Sequence, residues 1–346
     1  MLAKLNKTLV RTLTVLMLAF GLAAIGQQAQ AQSTSLKEPY RAQYKKALKG
    51  KVVAYLPISM NFDLTQAWYA VLKNELTPLG VKLTVRDPNW SITAAVQALT
   101  TLVRERPNII ISQSLDVQSF KRLLKKAEKD GITVIQINLA TLYKSTAFVG
   151  ADYVDIGERD TQAVVDACKG KSDKIAIIQG DPTSASSAYN LEGIDKVLAK
   201  NPEIKVVASQ AANWSAEKAK DITQTILKQH PDLCGIIGMW DGQDIGIAAA
   251  VKDAHLTGKV FVATSGGGEQ KAACDMVKSG GYDFYTSYDA PTQAEDMAAL
   301  IKWVLSSGMK PGRYRGDVYT TLQTITNANA GIEGTCWSLA QLTSAH

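Results

Sequence analysis

Residues 51–85 read KVVAYLPISMNFDLTQAWYAVLKNELTPLGVKLTV, and three readings within them decide the fold. Lys51 to Leu56 is a short run of strand-forming residues that ends at a proline. Thr65 to Leu76 places apolar residues at helical spacing, and Gly80 stands where a left-handed cap ends a helix. Val81 to Val85 is a second strand. A strand, a helix and a strand joined by short links close as a parallel pair with the helix on one face. The pattern continues outward with strands at Asn108 to Ser112 and Thr133 to Asn138, and with helices at Ile92 to Arg104 and Val117 to Asp130. It then restarts, with strands at Lys174 to Gln179, Lys205 to Ser209, Gly235 to Met239 and Lys259 to Thr264. The helices of this second half are Asp152 to Cys168, Ala185 to Ala199, Ala216 to Lys228, Gln243 to Ala254 and Gln270 to Lys278. The fold class is therefore α/β, with two doubly wound parallel-sheet units. A last helix, Thr292 to Leu305, and a C-terminal strand, Gly316 to Gln323, are left over.

Two units agree with a length of 346 residues, and 46% hydrophobic against 20% charged residues is a globular composition. The first 31 residues read as a secretory signal peptide. Lys4, Lys7 and Arg11 precede an apolar run from Leu13 to Ile25, and Ala29-Gln30-Ala31 has the small-x-small pattern of a cleavage site after Ala31. The apolar run is too short to cross a bilayer core, which needs about 20 residues. Removing the three cations lowers the formal charge from +6 to +3 over 315 residues. The remaining Lys and Arg are scattered, as at Lys121-Arg122 and Lys125-Lys126, which is a solvated helix face and not a nucleic-acid patch. An exported protein is the expectation.

Catalysis lacks its parts. The histidines are His230, His255 and His346, and no Gly-x-Ser-x-Gly elbow, His-Glu-x-x-His or Walker loop occurs. Cys168, Cys234, Cys274 and Cys336 form no Cys-x-x-Cys or Cys/His cluster, so neither a metal nor a cofactor is expected. Ser265-Gly266-Gly267-Gly268 offers a weak anion nest, and a turn before the next helix is the plainer reading.

In open α/β sheets ligands bind beyond the carboxyl ends of the strands, so the loops there carry the functional signal. In the first half they hold Ser59, Asn61 and Phe62, then Trp90, then Gln113 and Asn138. In the second half they hold Trp214, Trp240, Asp241, Ser265, Tyr288 and Asp289. Neutral amides, carboxylates and indoles suit a polyhydroxylated ligand: polar groups bridge adjacent hydroxyls while an aromatic face covers the C–H side. Asp181, Ser265 and Asn61 are equally read as turn formers or caps, and each tryptophan as core.

The segments Phe148-Val149-Gly150-Ala151-Asp152, Lys174 to Gly180, Gln210-Ala211-Ala212-Asn213-Trp214 and His230-Pro231-Asp232 occur in an order that resembles the periplasmic sugar-binding proteins of the ribose-binding type, over about Lys51 to Ala290. These are solute receptors of ABC importers. The resemblance implies two Rossmann-like lobes, 50–150 with 291–322 and 151–290 with 323–341, joined by a three-segment hinge, with the ligand in the interlobe cleft. It places Ser59, Asn61 and Phe62 at the ligand, Asn138-Leu139 where the family has Asp-Arg, and Asn190, beside Tyr189, where the family often has Arg. Trp214 matches the family's aromatic, Trp240-Asp241 its Asn-Asp pair, Ser265-Gly266 its Asp-Gly pair, and Asp289 the polar residue before the hinge proline, here Pro291. With both arginines changed, the implied ligand is a small neutral sugar or sugar alcohol other than ribose. The implied partners are an ABC permease and its ATPase, reached by a monomer that closes on its ligand. A receptor for chemotaxis or signalling is the alternative use of the same clasp. Lactose-repressor-type regulators share the fold but begin with a helix-turn-helix, which the N-terminal residues do not offer. Four cysteines allow three pairings; a Cys168–Cys234 bridge, leaving Cys274 with Cys336, is one expectation, and free thiols are the other.

Overall fold

A computed structural model describes residues 39–268 and 270–344; the signal-peptide reading and its cleavage site lie outside them. The chain divides after Ala47. Before that point the described residues belong to helix α1, Pro39–Leu48. From Leu48 onward the order is β1 Val52–Leu56, α2 Asp63–Leu76, β2 Lys82–Val85, α3 Ile92–Glu105, β3 Ile109–Ser112, α4 Lys121–Lys129, β4 Thr133–Ile137 and β5 Ala147–Gly150. The second series is α5 Tyr153–Cys168, β6 Lys174–Gln179, α6 Ala185–Leu198, β7 Lys205–Ala211, α7 Ala216–Gln229, β8 Gly235–Gly238, α8 Asp241–Asp253, β9 Phe261–Gly266, α9 Gln270–Lys278 and β10 Phe284–Ser287. The tail adds α10 Ala290–Ser307, β11 Gly316–Tyr319, β12 Gln323–Ile325 and α11 Leu339–Ser344.

The strands form two six-stranded sheets, ordered β11-β5-β4-β3-β1-β2 and β12-β10-β9-β8-β6-β7. Every pairing in the first is parallel. In the second only β12, against β10, is antiparallel. Parallel strands covered on both faces read as nearly continuous apolar runs, and β3, β4 and β8 are buried at every position. One face of the first sheet packs Ala54, Ile110 and Val134 against Leu99 of α3 and Leu124 of α4. In the second sheet Ile236 and Val262 meet Ile226 and Ile247 on one face, while Ile177 and Ile237 meet Val164 and Ile194 on the other.

The expected C-terminal strand Gly316 to Gln323 is two strands. Gly316–Tyr319 joins the first sheet beside β5, and Gln323–Ile325 joins the second beside β10. The chain therefore passes between sheets three times, after β5, after β10 and between β11 and β12. The helix expected from Val117 starts only at Lys121. The Asp116 carboxylate accepts the Gln118 and Ser119 amides at 2.7 Å each and holds those residues in a turn.

Both disulfides occur, Cys168–Cys234 and Cys274–Cys336. The first joins the end of α5 to the start of β8, and the second ties the tail beyond β12 to α9. Peptide mapping under non-reducing conditions should return these two pairs. Replacing Cys168 and Cys234 together by Ser is expected to cost about 2–4 kcal/mol in chemical denaturation; an unchanged midpoint would show that the bridge contributes nothing.

Candidate functional site

Each lobe delivers a tryptophan through the same local device. Asn89-Trp90-Ser91 follows β2 and Asn213-Trp214-Ser215 follows β7, the equivalent strands of the two sheets. Both asparagines and both tryptophans have positive φ, +46° and +65° in the first pair and +54° and +63° in the second. Each serine then caps the following helix, accepting the amide of Ala94 or of Lys218. Asn tolerates the left-handed region because its side chain bonds locally, whereas Trp rarely enters it. The turns are held from outside: the Trp90 amide donates to Ile58 O at 2.8 Å, and the Trp214 amide to Gln243 Oε1 at 2.8 Å. The Trp214 indole lies directly on Gly180, where any Cβ would collide with the ring.

Both indoles contact a third, Trp240, which bridges them. Trp240, at the start of α8, contacts Phe62, Trp90 and Trp214 at ring-centroid distances of 5.9, 6.0 and 6.2 Å, and Phe62 contacts Trp90 at 5.3 Å. Offset and edge contacts of this kind contribute about 0.5–1.5 kcal/mol each beyond area burial. Beneath the rings is a cavity of about 50 Å³, also lined by Ile58, Gln113, Asn138, Tyr153, Ser186 and Tyr288.

Seven of the residues expected at the strand ends line this cavity: Phe62, Trp90, Gln113, Asn138, Trp214, Trp240 and Tyr288. Ser59 and Asn61 stand one layer behind. Asn61 Oδ1 accepts the Trp90 indole N–H at 3.1 Å, and Ser59 Oγ accepts the Asn61 amide at 3.2 Å. Ser265 donates to Met239 O at 3.2 Å and lies 3.3 Å from the Tyr288 hydroxyl. Asp241 does not line this cavity but a neighbouring one with Phe62 and Trp240, and its carboxylate accepts the Tyr285 hydroxyl at 2.7 Å and the amides of Gly242 and Gly268. Asn190 is buried inside α6 and bonds Ser186 O at 3.1 Å. Asp289 takes the Thr292 hydroxyl at 2.7 Å and the Gln323 amide at 2.8 Å. Tyr189 is on a different, larger cavity of about 340 Å³ that borders the first at Asn138 and Tyr153. There Lys144 pairs with Asp317 at 3.0 Å, and Asp152 caps α5. Tyr153 and Ser186 also line the cavity, each from the first turn of a helix and not from a strand-end loop, so strand-end position alone does not reach them.

A model described as the periplasmic binding protein domain matches residues 53–308. The chain belongs to that family. Among curated relatives, this periplasmic binding protein is 32% identical over 150 residues to the D-allose-binding periplasmic protein of Escherichia coli, covering 41% of this chain and 48% of the relative. It is 28% identical over 205 residues to the xylitol-binding protein of Mycolicibacterium smegmatis, covering 58% of this chain and 57% of the relative. These matches span about half the length of each relative. Among solved structures, a solute-binding protein of Burkholderia graminis in complex with D-arabinose superposes with a TM-score of 0.74 at 21% identity, over 82% of this chain and 98% of the other. The proteins matched are solute-binding proteins, not enzymes.

Buried carboxyls brace the second-lobe loops of this binding protein. Burial pushes Asp244 up to about 7, although it accepts the Thr264 hydroxyl at 2.5 Å, the Gln243 side-chain amide at 3.1 Å and the Trp240 amide at 3.1 Å. Burial likewise raises Asp241 to about 6, against the bonds from Tyr285 and the glycine amides. Between about pH 4 and pH 7 the folded protein holds a proton on Asp244 that the unfolded chain has released, so the stability due to this group is lost as pH rises through that window. The melting temperature should fall from pH 5 to pH 8, and Asp244→Asn should flatten that fall; equal slopes in the two proteins would contradict the assignment.

Proposed function

We propose that this is the solute-binding protein of an ABC importer, exported to the periplasm, where it clasps a small neutral sugar or sugar alcohol and presents it to a membrane permease. The lobes are residues 50–150 with 291–322 and residues 151–290 with 323–341. The observation that carries the reading is the meeting of Phe62 and Trp90 from one lobe with Trp214 and Trp240 from the other above polar side chains. Aromatic faces cover the C–H side of a sugar ring, and a few convergent polar groups fix its orientation. The D-allose and xylitol binding named for the curated relatives supports the ligand class, as does the D-arabinose bound to the Burkholderia graminis protein.

Closure follows from differential affinity. A ligand touching both lobes binds the closed form better than the open one, and it shifts the population by that difference. The three passages of chain between the sheets are where the backbone would absorb the rotation. Ser59, Asn61, Ser265, Asp241 and Asp289 then act by fixing the loops, while Phe62, Trp90, Asn138, Trp214 and Trp240 touch the ligand.

Calorimetry tests the reading against a panel of sugars and polyols. Trp214→Ala and Trp240→Ala should each weaken the ligand that binds by about tenfold or more, with an unchanged far-ultraviolet circular dichroism spectrum. Unaltered affinity in both variants would remove the aromatic cleft from the site.

A further inference from the structure

The chemistry of the cavity wall narrows the ligand further, on the reading of the cleft given above. Among the described residues none that lines the cavity is charged. Ile58, Leu64, Leu115, Leu139 and Met239 complete a wall whose other large members are aromatic. Among the polar groups that remain, the acceptors are largely committed to the protein itself. Asn138 Oδ1 accepts the Ala151 amide at 3.2 Å and the Gln293 side-chain amide at 3.3 Å. Gln113 Oε1 accepts the Ile58 amide at 3.1 Å, and Ser186 shares a hydrogen bond with Ser184 at 2.9 Å. The Tyr153 hydroxyl is bonded to Tyr288 and Asn138, and the Tyr288 hydroxyl also lies 3.3 Å from Ser265 Oγ. Asp241, the carboxylate nearest in sequence to the central indole, is occupied by Tyr285, Gly242 and Gly268.

A sugar with a hydroxyl on every ring carbon needs a partner for each when it leaves water, because an unmatched buried hydroxyl loses its hydration with no replacement. This wall has few free positions to offer, and it offers wide apolar and aromatic surface instead. We infer that the ligand is a neutral ring carrying fewer hydroxyls than a pentose or hexose, with C–H, methyl or O-methyl groups where such sugars have hydroxyls, as in a deoxygenated or O-methylated sugar. Missing hydroxyls remove the desolvation penalty, and the exposed C–H and methyl groups meet indole faces.

The test is calorimetry on the full mature chain with matched pairs: D-galactose and its 6-deoxy form D-fucose, D-ribose and 2-deoxy-D-ribose, and myo-inositol and its mono-O-methyl ether. In the pair that binds, the deoxygenated or methylated member should bind about tenfold tighter or more, a difference of about 1.4 kcal/mol per decade. A fully hydroxylated member that binds equally or more tightly overturns this inference and leaves the sugar-binding reading standing. Binding of amino acids or nucleosides, with no member of any pair bound, overturns the sugar-binding reading and this inference with it.

Discussion

The constraint on which the site depends is a backbone one: in each lobe two consecutive residues, Asn89-Trp90 and Asn213-Trp214, leave their strand in the left-handed region. That conformation costs a non-glycine residue about 1–2 kcal/mol, so it persists only where surrounding bonds hold it. Ile58 O holds one turn and the Gln243 side chain the other. In return the chain turns sharply at the carboxyl end of a parallel strand, and the indole emerges toward the opposite lobe instead of packing beneath its own sheet. Two lobes with the same strand order repeat the device, and the two indoles come together on Trp240.

A second layer keeps those rings in place. Asn61 ties the Trp90 indole to the loop after β1, Gly180 leaves room for the Trp214 ring, and Asp244 holds the Trp240 amide. Below them Asn138, Tyr153, Tyr288 and Ser265 form a hydrogen-bonded chain from the end of β4 to the end of β9. A link of this kind crosses between the sheets at the places where the chain itself crosses. The cleft floor is therefore part of the framework, which leaves the aromatic wall as the surface most free to answer a ligand.

Much of this was legible in the sequence, because apolar runs and helical spacing report burial on parallel strands directly. The strands from Lys174 and Thr133 begin where the pattern put them, and the three tryptophans converge as their strand-end positions implied. What was not legible depends on partners distant in sequence. Asp241 reads as a ligand group until Tyr285, 44 residues away, takes its carboxylate. Ala147–Gly150 carries two small residues among its four and follows a polar turn, and it gains its strand character from β4 on one side and β11 on the other. Gly316 to Gln323 looks like one strand because nothing local says that Thr320 to Leu322 pass from one sheet to the other. The Asn-Trp-Ser repeat was the available signal for the paired turns: two copies, each after the second strand of its half and before a helix.

The most direct measurement is fluorine magnetic resonance on protein labelled with 5-fluorotryptophan, in which each of the six tryptophans gives its own signal, assigned by single Trp→Phe variants. Saturation with the sugar that binds should shift Trp90, Trp214 and Trp240 together and leave the buried Trp68 and the exposed Trp303 unmoved. Shifts confined to the tryptophan of one lobe, or to Trp303 alone, would contradict a ligand held between aromatic faces from both lobes.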